Sequence, residues 1–491
     1  MRRPWNLALS RRISPDRGTP LYLQLAHALI HEIERGRLQP GSPLPSSRDL
    51  AEELGLNRKT VVTAFEELVA QGWLEAHGRR GTSVATDLPE TEVHHRDRNS
   101  GAGPRKPAYR YNPPPARSIA VPIGSRIKLD EGSPDGSLFP PEILARAYRR
   151  AALSAARERR LGYRDPRGSE RLRRAVAAML REERGLVVGP ENICVTRGSQ
   201  AGISLATRML ARPGSVALAE ELTYEPAVAA FGGMGVPVLP VRMDENGILV
   251  EEVERLCRAN KVCALFLTPH HQFPTTVSLP PVRRLQLIEL ARQFGFAIIE
   301  DDYDHEFRFG SPPLLPMASY APDTVVYVGS LSKLLLPALR VGYIAAPVPV
   351  IDALAHCVSL TDGMGSTLTE DAVALLIDEG EVRRHARKVI RTYAERRNAL
   401  ARAVTESLGD FADARLPDGG LAIWLRFRDR EALARIERGA PAAGISFAAS
   451  ESYRLGPEAQ HGLRIGFASH PAAAAVAAIE TLGELGRSVT V

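Results

Sequence analysis

Of the 63 basic residues in this chain only six are lysines, at positions 59, 106, 128, 261, 333 and 388. Each is therefore a candidate for chemistry that arginine, permanently charged, does not perform. Lys59 and Lys106 fall in the N-terminal quarter of the chain, and Lys128, Lys261 and Lys388 sit among polar or helical neighbours that read as surface. Lys333 stands apart. It lies in TVVYVGSLSKLLLPALRVGY, just past one apolar run and ahead of another. Burial there disfavours the ammonium, lowers the pKa of the amine and suits it to imine formation with an aldehyde. The ordinary alternative is a surface lysine whose stem snorkels. Hydroxyls at Ser330 and Ser332 and a cation at Arg340 favour the first reading, because together they can hold a phosphate ester beside the amine.

Partners for such an amine occur elsewhere in the chain. Gly198, Ser199 and Gln200 follow the apolar run ICVTR and open the helical pattern AGISLATRML, and a helix N-terminus offers free N–H groups and a positive dipole end to phosphate. AIIEDDYD ends a strand pattern in acids. Asp301 can pair with a protonated ring nitrogen and turn that ring into an electron sink, and Tyr303 is near enough to bond a ring oxygen. A metal site or a solvated strand end is the competing reading of this run. No cluster of histidines and acids at metal-ligand spacing supports the metal, so no metal is expected. Tyr224, in EELTYEPA, can stack on a planar ligand or simply pack.

These residues need a scaffold, and the pattern supplies one. NICVTRG, VALAE, CALFLTP, AIIEDD, TVVYVGS and GYIAAP read as strands alternating with helical segments, which predicts βαβ units and a mainly parallel sheet covered by helices. After about residue 380, a long helical pattern (EVRRHARKVIRTYAERRNALARAV) precedes the strands GGLAIWLRF and GLRIGFA, predicting a smaller α+β subdomain. Residues 126–488 form this body. Residues 86–125, rich in proline, glycine and charge, read as a linker, extended at Pro113, Pro114 and Pro115.

Residues 15–85 read differently. PLYLQLAHALIHEIERG is a helix with Gly36 placed to end it; Ser46 or Ser47 caps a second that Gly55 closes; Asn57 caps a third. WLEAHGRRGTSVA alternates like a hairpin with a basic tip. Helix, helix-turn-helix and hairpin in that order predict a winged helix-turn-helix. In such a module the start of the second motif helix enters the major groove, and here that start is Arg58, Lys59 and Thr60. Arg48 opens the preceding helix, and the tip carries His77, Gly78, Arg79 and Arg80. Cations at both places predict binding to double-stranded DNA.

Composition sets the outer bounds. The chain has 491 residues, 44% hydrophobic and 24% charged, with a formal net charge of +6. That excludes a mostly disordered protein, and no apolar run is long enough to span a bilayer. Four cysteines without a Cys-x-x-Cys pair are expected as reduced thiols. The basic N-terminus lacks the apolar core of a secretory signal, so a cytoplasmic location and no membrane partner are expected.

The segments LPSSR, NRKT and GWLEA with GRRGT resemble the winged-helix domain of the GntR family of bacterial transcription regulators. The resemblance implies that Arg48, Arg58, Lys59, Thr60 and His77 to Arg80 touch operator DNA. The order phosphate turn, aromatic, polar loop, Asp, Lys, Arg over residues 125–485 resembles the fold-type I aminotransferases. That implies pyridoxal 5'-phosphate as cofactor, with Lys333 on its aldehyde, Asp301 on its pyridinium and Arg340 on its phosphate. It also implies a homodimer in which Tyr163 reaches the phosphate of the other subunit, and an effector carboxylate held bidentately by Arg464. Together the two halves resemble the MocR subfamily, which includes GabR- and PdxR-type regulators. TPHHQFPTT replaces the Asn-Pro-Thr-Gly turn of true aminotransferases, leaving His271 or Gln272 to contact the ring oxygen. Thr276 stands where that turn has glycine. Pro226 stands where GabR-type members carry an effector-binding arginine, which speaks against a GABA-like effector.

The implied function is a DNA-binding transcription regulator whose aminotransferase-like domain senses pyridoxal 5'-phosphate or its adduct with an amino compound. The alternatives are a working aminotransferase with a DNA-binding appendage, and a repressor whose body serves only to dimerise.

Overall fold

The computed structural model describes residues 9–10, 12–15, 18–89, 110, 126–130, 132–310 and 314–488. The prolines at 113–115 and most of the expected linker lie outside the described residues. The chain divides into two units, residues 1–112 and 113–491.

In the first unit, Leu25, Leu29 and Ile33 recur at helical spacing on Leu21–Glu34 and pack with Leu50, Val61 and Phe65 in one core. The second helix, Ser47–Leu54, is capped by Ser46, whose hydroxyl accepts from the Asp49 N–H, and ends at Gly55 in the left-handed conformation. Asn57 caps the third helix, Arg58–Ala70, accepting from the Lys59 N–H at 2.9 Å. The hairpin pairs Leu74–Ala76 with Thr82–Val84 antiparallel. The capping sequence therefore fixes the start of the third helix, and with it the place of Arg58, Lys59 and Thr60 on its first turn.

The second unit is built on a seven-stranded sheet. Its strand order is Ile193–Thr196, Gly342–Ala345, Val325–Ser330, Ala297–Asp302, Val262–Leu267, Val216–Glu220, Val238–Val241. Gly342–Ala345 runs antiparallel to both neighbours; the other pairings are parallel. All six predicted strands are present. The seventh, Val238–Val241, is an edge strand containing Pro240. Proline removes a ladder donor and is tolerated only at such an edge, which is why its pattern does not read as a strand.

Buried β-branched and aliphatic residues fill both faces of the central strands, as parallel sheets covered on both sides require. A smaller antiparallel sheet, Ala412–Arg415, Ala422–Phe427 and Gly462–Gly466, packs with the helices Glu381–Leu408 and Ala472–Arg487. Of its strands, Ala412–Arg415 is short, polar and at the edge, and carries no alternating apolar signal.

No helix among the described residues is long and apolar enough to cross a membrane. All four cysteines are free, with Cys194, Cys257 and Cys263 buried.

Candidate functional site

In the first unit Arg48, Arg58 and Lys59 are exposed and Thr60 is half-buried on the turn that the Asn57 cap defines. At the hairpin tip His77, Gly78 and Arg80 are exposed, and the His77 Nε2 lies 2.8 Å from the Ser83 hydroxyl. The side chain of Arg79 lies outside the described residues. None of the cations at Arg48, Arg58, Lys59 or Arg80 forms a salt bridge among the described residues. They stand exposed on a helix start and at a hairpin tip.

The second site forms where strands of the large sheet end. Ala297–Asp302 delivers Asp301 at its carboxyl end, and the adjacent parallel strand Val325–Ser330 delivers Ser330, Ser332 and Lys333 just beyond its own. Ligands bind outside the carboxyl ends of strands in open α/β sheets. The Lys333 amine lies 4.2 Å above the Tyr303 ring centre. Burial lowers its pKa, while Asp304 and Asp301 oppose the shift. Asp301 is buried, and its Oδ1 has no hydrogen-bond partner. Burial pushes its carboxyl up to about 7, with Lys333 pulling it down and Asp302 and Asp304 pushing it further up. The Ser332 hydroxyl is likewise buried without a partner, and the Ser330 hydroxyl accepts from the Ser332 N–H at 3.3 Å.

Gly198, Ser199 and Gln200 form the turn that opens the helix Ser199–Leu210. Gly198 has φ of +78°, and a Cβ there would sit 3.0 Å from the Arg340 guanidinium carbon. A Cβ at Gly342, on the neighbouring strand, would come within 2.6 Å of the Gly198 carbonyl carbon. Two positions without side chains thus let the turn lie against Arg340 and the sheet at once. Arg340 keeps exposure and donates to the Arg197 carbonyl at 3.0 Å. The Gln200 amide nitrogen donates to the Pro226 carbonyl, and its buried oxygen has no partner. A cavity of about 510 Å³ opens beside the helix Ser199–Leu210, with Arg197, Arg208 and Arg340 on its wall.

The polar loop differs from expectation in its details. His271 Nδ1 lies 2.6 Å from Asp304, and the Gln272 amide donates to Glu220 at 3.1 Å and to the Leu222 carbonyl at 2.7 Å. Both side chains offered for the ring-oxygen contact are therefore engaged in holding the loop. The ring that stands toward Tyr303 is Phe273, 6.4 Å away edge-on, and Tyr224 meets that same ring edge-on at 5.2 Å. Tyr303 donates its hydroxyl to the His271 carbonyl at 2.8 Å. Thr276 adopts φ of +63°, the left-handed region that favours glycine over a β-branched residue.

Arg464 is fully buried on the strand Gly462–Gly466. Its guanidinium donates to the Pro274 carbonyl at 2.8 Å and to the Tyr303 hydroxyl at 3.2 Å, and lies 4.9 Å from the Phe273 ring centre. A carboxylate arriving here competes with those bonds. Tyr163 is 96% exposed.

Phe273, Asp304 and Asp302 belong to the site's surroundings and carry no sequence signal of their own. Phe273 hides inside a Pro-Thr turn and the two acids inside an acidic run. The run had one legible feature, strand alternation, which puts Asp301 on the face opposite Glu300 and Asp302.

Comparison with known proteins bears on both units. Residues 125–482 match the aminotransferase class I and II family, and residues 21–84 match the gntR family of bacterial regulatory proteins. The chain is 31% identical over 454 residues to the probable rhizopine catabolism regulatory protein MocR of Rhizobium meliloti, covering 92% of this chain and 91% of that one. It is 31% identical over 461 residues to the HTH-type pyridoxine biosynthesis transcriptional regulator PdxR of Corynebacterium glutamicum, covering 93% and 94%. Among solved structures, the α-aminoadipate aminotransferase LysN of Thermus thermophilus, complexed with N-(5'-phosphopyridoxyl)-L-leucine, superposes with a TM-score of 0.69. The two are 25% identical, over 76% of this chain and 95% of that chain.

Proposed function

The chain belongs to the HTH-type transcription regulators that join a gntR-type head to an aminotransferase class I and II body, and on that premise we propose that the body is the sensor and the head the effector arm. It is a transcription regulator rather than an enzyme. Its ligand is pyridoxal 5'-phosphate, alone or with an amino compound. A homodimer in the cytoplasm presents two heads to an operator.

The observation that carries the reading is the set of groups around Lys333. An amine of lowered pKa, a buried carboxyl with an unpartnered oxygen, an unpartnered buried hydroxyl and a helix N-terminus against an arginine converge at neighbouring strand ends. They fit pyridoxal 5'-phosphate group by group: aldehyde to Lys333, ring nitrogen to Asp301, phosphate to Gly198, Ser199, Gln200, Ser330, Ser332 and Arg340. When bound, the cofactor supplies an electrophilic carbon and an electron-withdrawing ring.

The chain's own residues do the rest. Asp301 would hold a proton on the ring nitrogen, Lys333 would present an amine whose charged form burial disfavours, and Phe273 and Tyr224 would exclude water from one side. Tyr163, exposed in one chain, completes the phosphate site of a second. Regulation then requires that the ligand favour one of two conformations of the body by differential affinity. In the head, Arg48, Arg58, Lys59 and Arg80 neutralise phosphates and Thr60 and His77 add polar contacts.

The test is selection of a duplex from a random-sequence library by the full-length protein, followed by affinity measurement with and without pyridoxal 5'-phosphate. A change of affinity that Lys333→Ala abolishes is expected. Equal affinities in both conditions would leave a DNA-binding protein that does not sense this ligand.

A further inference from the structure

Three consecutive acids end the strand Ala297–Asp302, and they have three different fates. Glu300 and Asp302 lie on one face of the sheet and Asp301 on the other, because side chains alternate along a strand. Glu300 is tied off by the N–H groups of Met317 and Ala318, each at 2.9 Å. Asp302 receives a hydrogen bond from Arg184 and one from the Tyr327 hydroxyl, each at 2.6 Å. His270 and His305 flank it, each with a ring nitrogen 3.4 Å from one of its oxygens. Arg184, the last residue of the helix Glu170–Arg184, is 3% exposed against 1% for Asp302. It also donates to the Leu314 carbonyl at 3.2 Å and lies 2.9 Å from the His270 Nε2. Asp301 forms none of these ties and its Oδ1 is unpartnered, whereas the Oδ1 of Asp302, also without a hydrogen bond, lies against the His270 ring.

A slip of one residue in strand register exchanges the faces of every side chain. Here it would turn Asp302 toward Lys333 and Asp301 toward Arg184. A buried carboxylate with a fixed cationic partner is what makes that slip costly. We propose that Arg184, through its buried ion pair with Asp302, is a positioning residue that selects Asp301 to face the cofactor and sets that carboxyl's charge.

The electrostatic half follows from neighbouring charges. The charges acting on Asp301 are Lys333 from the segment after Val325–Ser330, Asp304 from its own segment with His271 on it, and Asp302 from the opposite face of the strand. Asp302 repels a charge on Asp301, and Arg184 compensates Asp302. Removing Arg184 leaves the repulsion uncompensated and raises the pH at which Asp301 ionises; removing the charge of Asp302 lowers it.

The proposal rests on the cofactor reading only in what Asp301 faces, so its test begins without cofactor. The protonated-carboxyl infrared band of Asp301, identified by its loss in Asp301→Asn, is titrated in the ligand-free full-length protein. Arg184→Gln is expected to move the midpoint up and Asp302→Asn to move it down, each by on the order of one pH unit. The double variant should fall between. Midpoints that move in the same direction, or not at all, overturn the proposal, since a merely structural loosening gives no opposition of sign. Were Arg184→Gln alone not to fold, the order of Asp302→Asn below the double variant carries the same test. In a second arm, the acid limb of the pyridoxal 5'-phosphate affinity should follow the same displacements. A carboxyl that moves while the affinity limb stays fixed overturns the positioning role. A protein that binds no pyridoxal 5'-phosphate refutes the cofactor reading instead, with the infrared order still deciding the role of Arg184.

Discussion

Asp301, buried beside Lys333 with an unpartnered oxygen, has an environment that gives its ionisation a pH dependence of definite sign. An ordinary aspartate titrates near 3.8, and burial pushes this one up to about 7. The folded state therefore holds a proton that the unfolded chain has already released, and the stability belonging to that proton is present below the lower value and lost as pH rises through the higher. Glu300, raised to about 7, and Glu220, raised to about 8, act in the same direction. The contribution of these three acids is expected to be lost as pH rises toward about 8, while buried His270 and His305, whose pKa values burial lowers, act in the opposite direction below about pH 6.5. In denaturant titrations across that range Asp301→Asn should flatten part of the slope, and an unchanged slope would contradict the assignment. A second residue-scale expectation concerns Thr276, a β-branched residue held at φ of +63°. Thr276→Gly should raise unfolding stability by about 1 kcal/mol, the relief of strain exceeding the entropy that glycine adds to the unfolded chain. The denaturant midpoint measures it.

At the scale of elements, the chain signals helix ends and buried strands clearly and long-range pairs not at all. Asn57, Gly55 and Gly36 announce their helices because a cap needs a side-chain acceptor or a left-handed glycine at one position. Removing the acceptor in Asn57→Ala should cost about 1 kcal/mol, read by thermal unfolding of the head, and should weaken DNA binding by fraying the turn that carries Arg58 and Lys59. The strands around the site were legible from their continuous apolar runs, and Lys333, Asp301 and the Gly198 turn from their places beside those runs. Arg184 was not, because its partner Asp302 lies 118 residues away and nothing local marks it. Phe273 was hidden for another reason: in a Pro-Thr turn that reads as polar, a single aromatic gives no period. Gly342 acquires meaning only once the sheet brings it against the Gly198 turn. A side chain at position 342 would meet backbone at 2.6 Å, so Gly342→Ala should displace the turn and weaken pyridoxal 5'-phosphate binding more than it weakens folding. Ligand titration beside thermal unfolding separates the two effects.

At the scale of the whole molecule, two units with different chemistry share one chain. One carries exposed cations on a helix start and a wing; the other carries a ring of groups suited to an aldehyde, a ring nitrogen and a phosphate. Arg58→Ala and Lys59→Ala should each lower operator affinity and reduce the salt dependence of binding by about one counterion, without altering the body's response to pyridoxal 5'-phosphate. Binding as a function of salt, for each variant, checks both halves of that statement. The absorbance spectrum of the purified full-length protein with pyridoxal 5'-phosphate added, beside Lys333→Ala, shows whether this amine takes the cofactor's aldehyde. A visible band shifted from that of the free cofactor is predicted for the unmodified protein, with none in the variant. The same spectrum for both proteins, matching free cofactor, would mean that Lys333 does not bind pyridoxal 5'-phosphate.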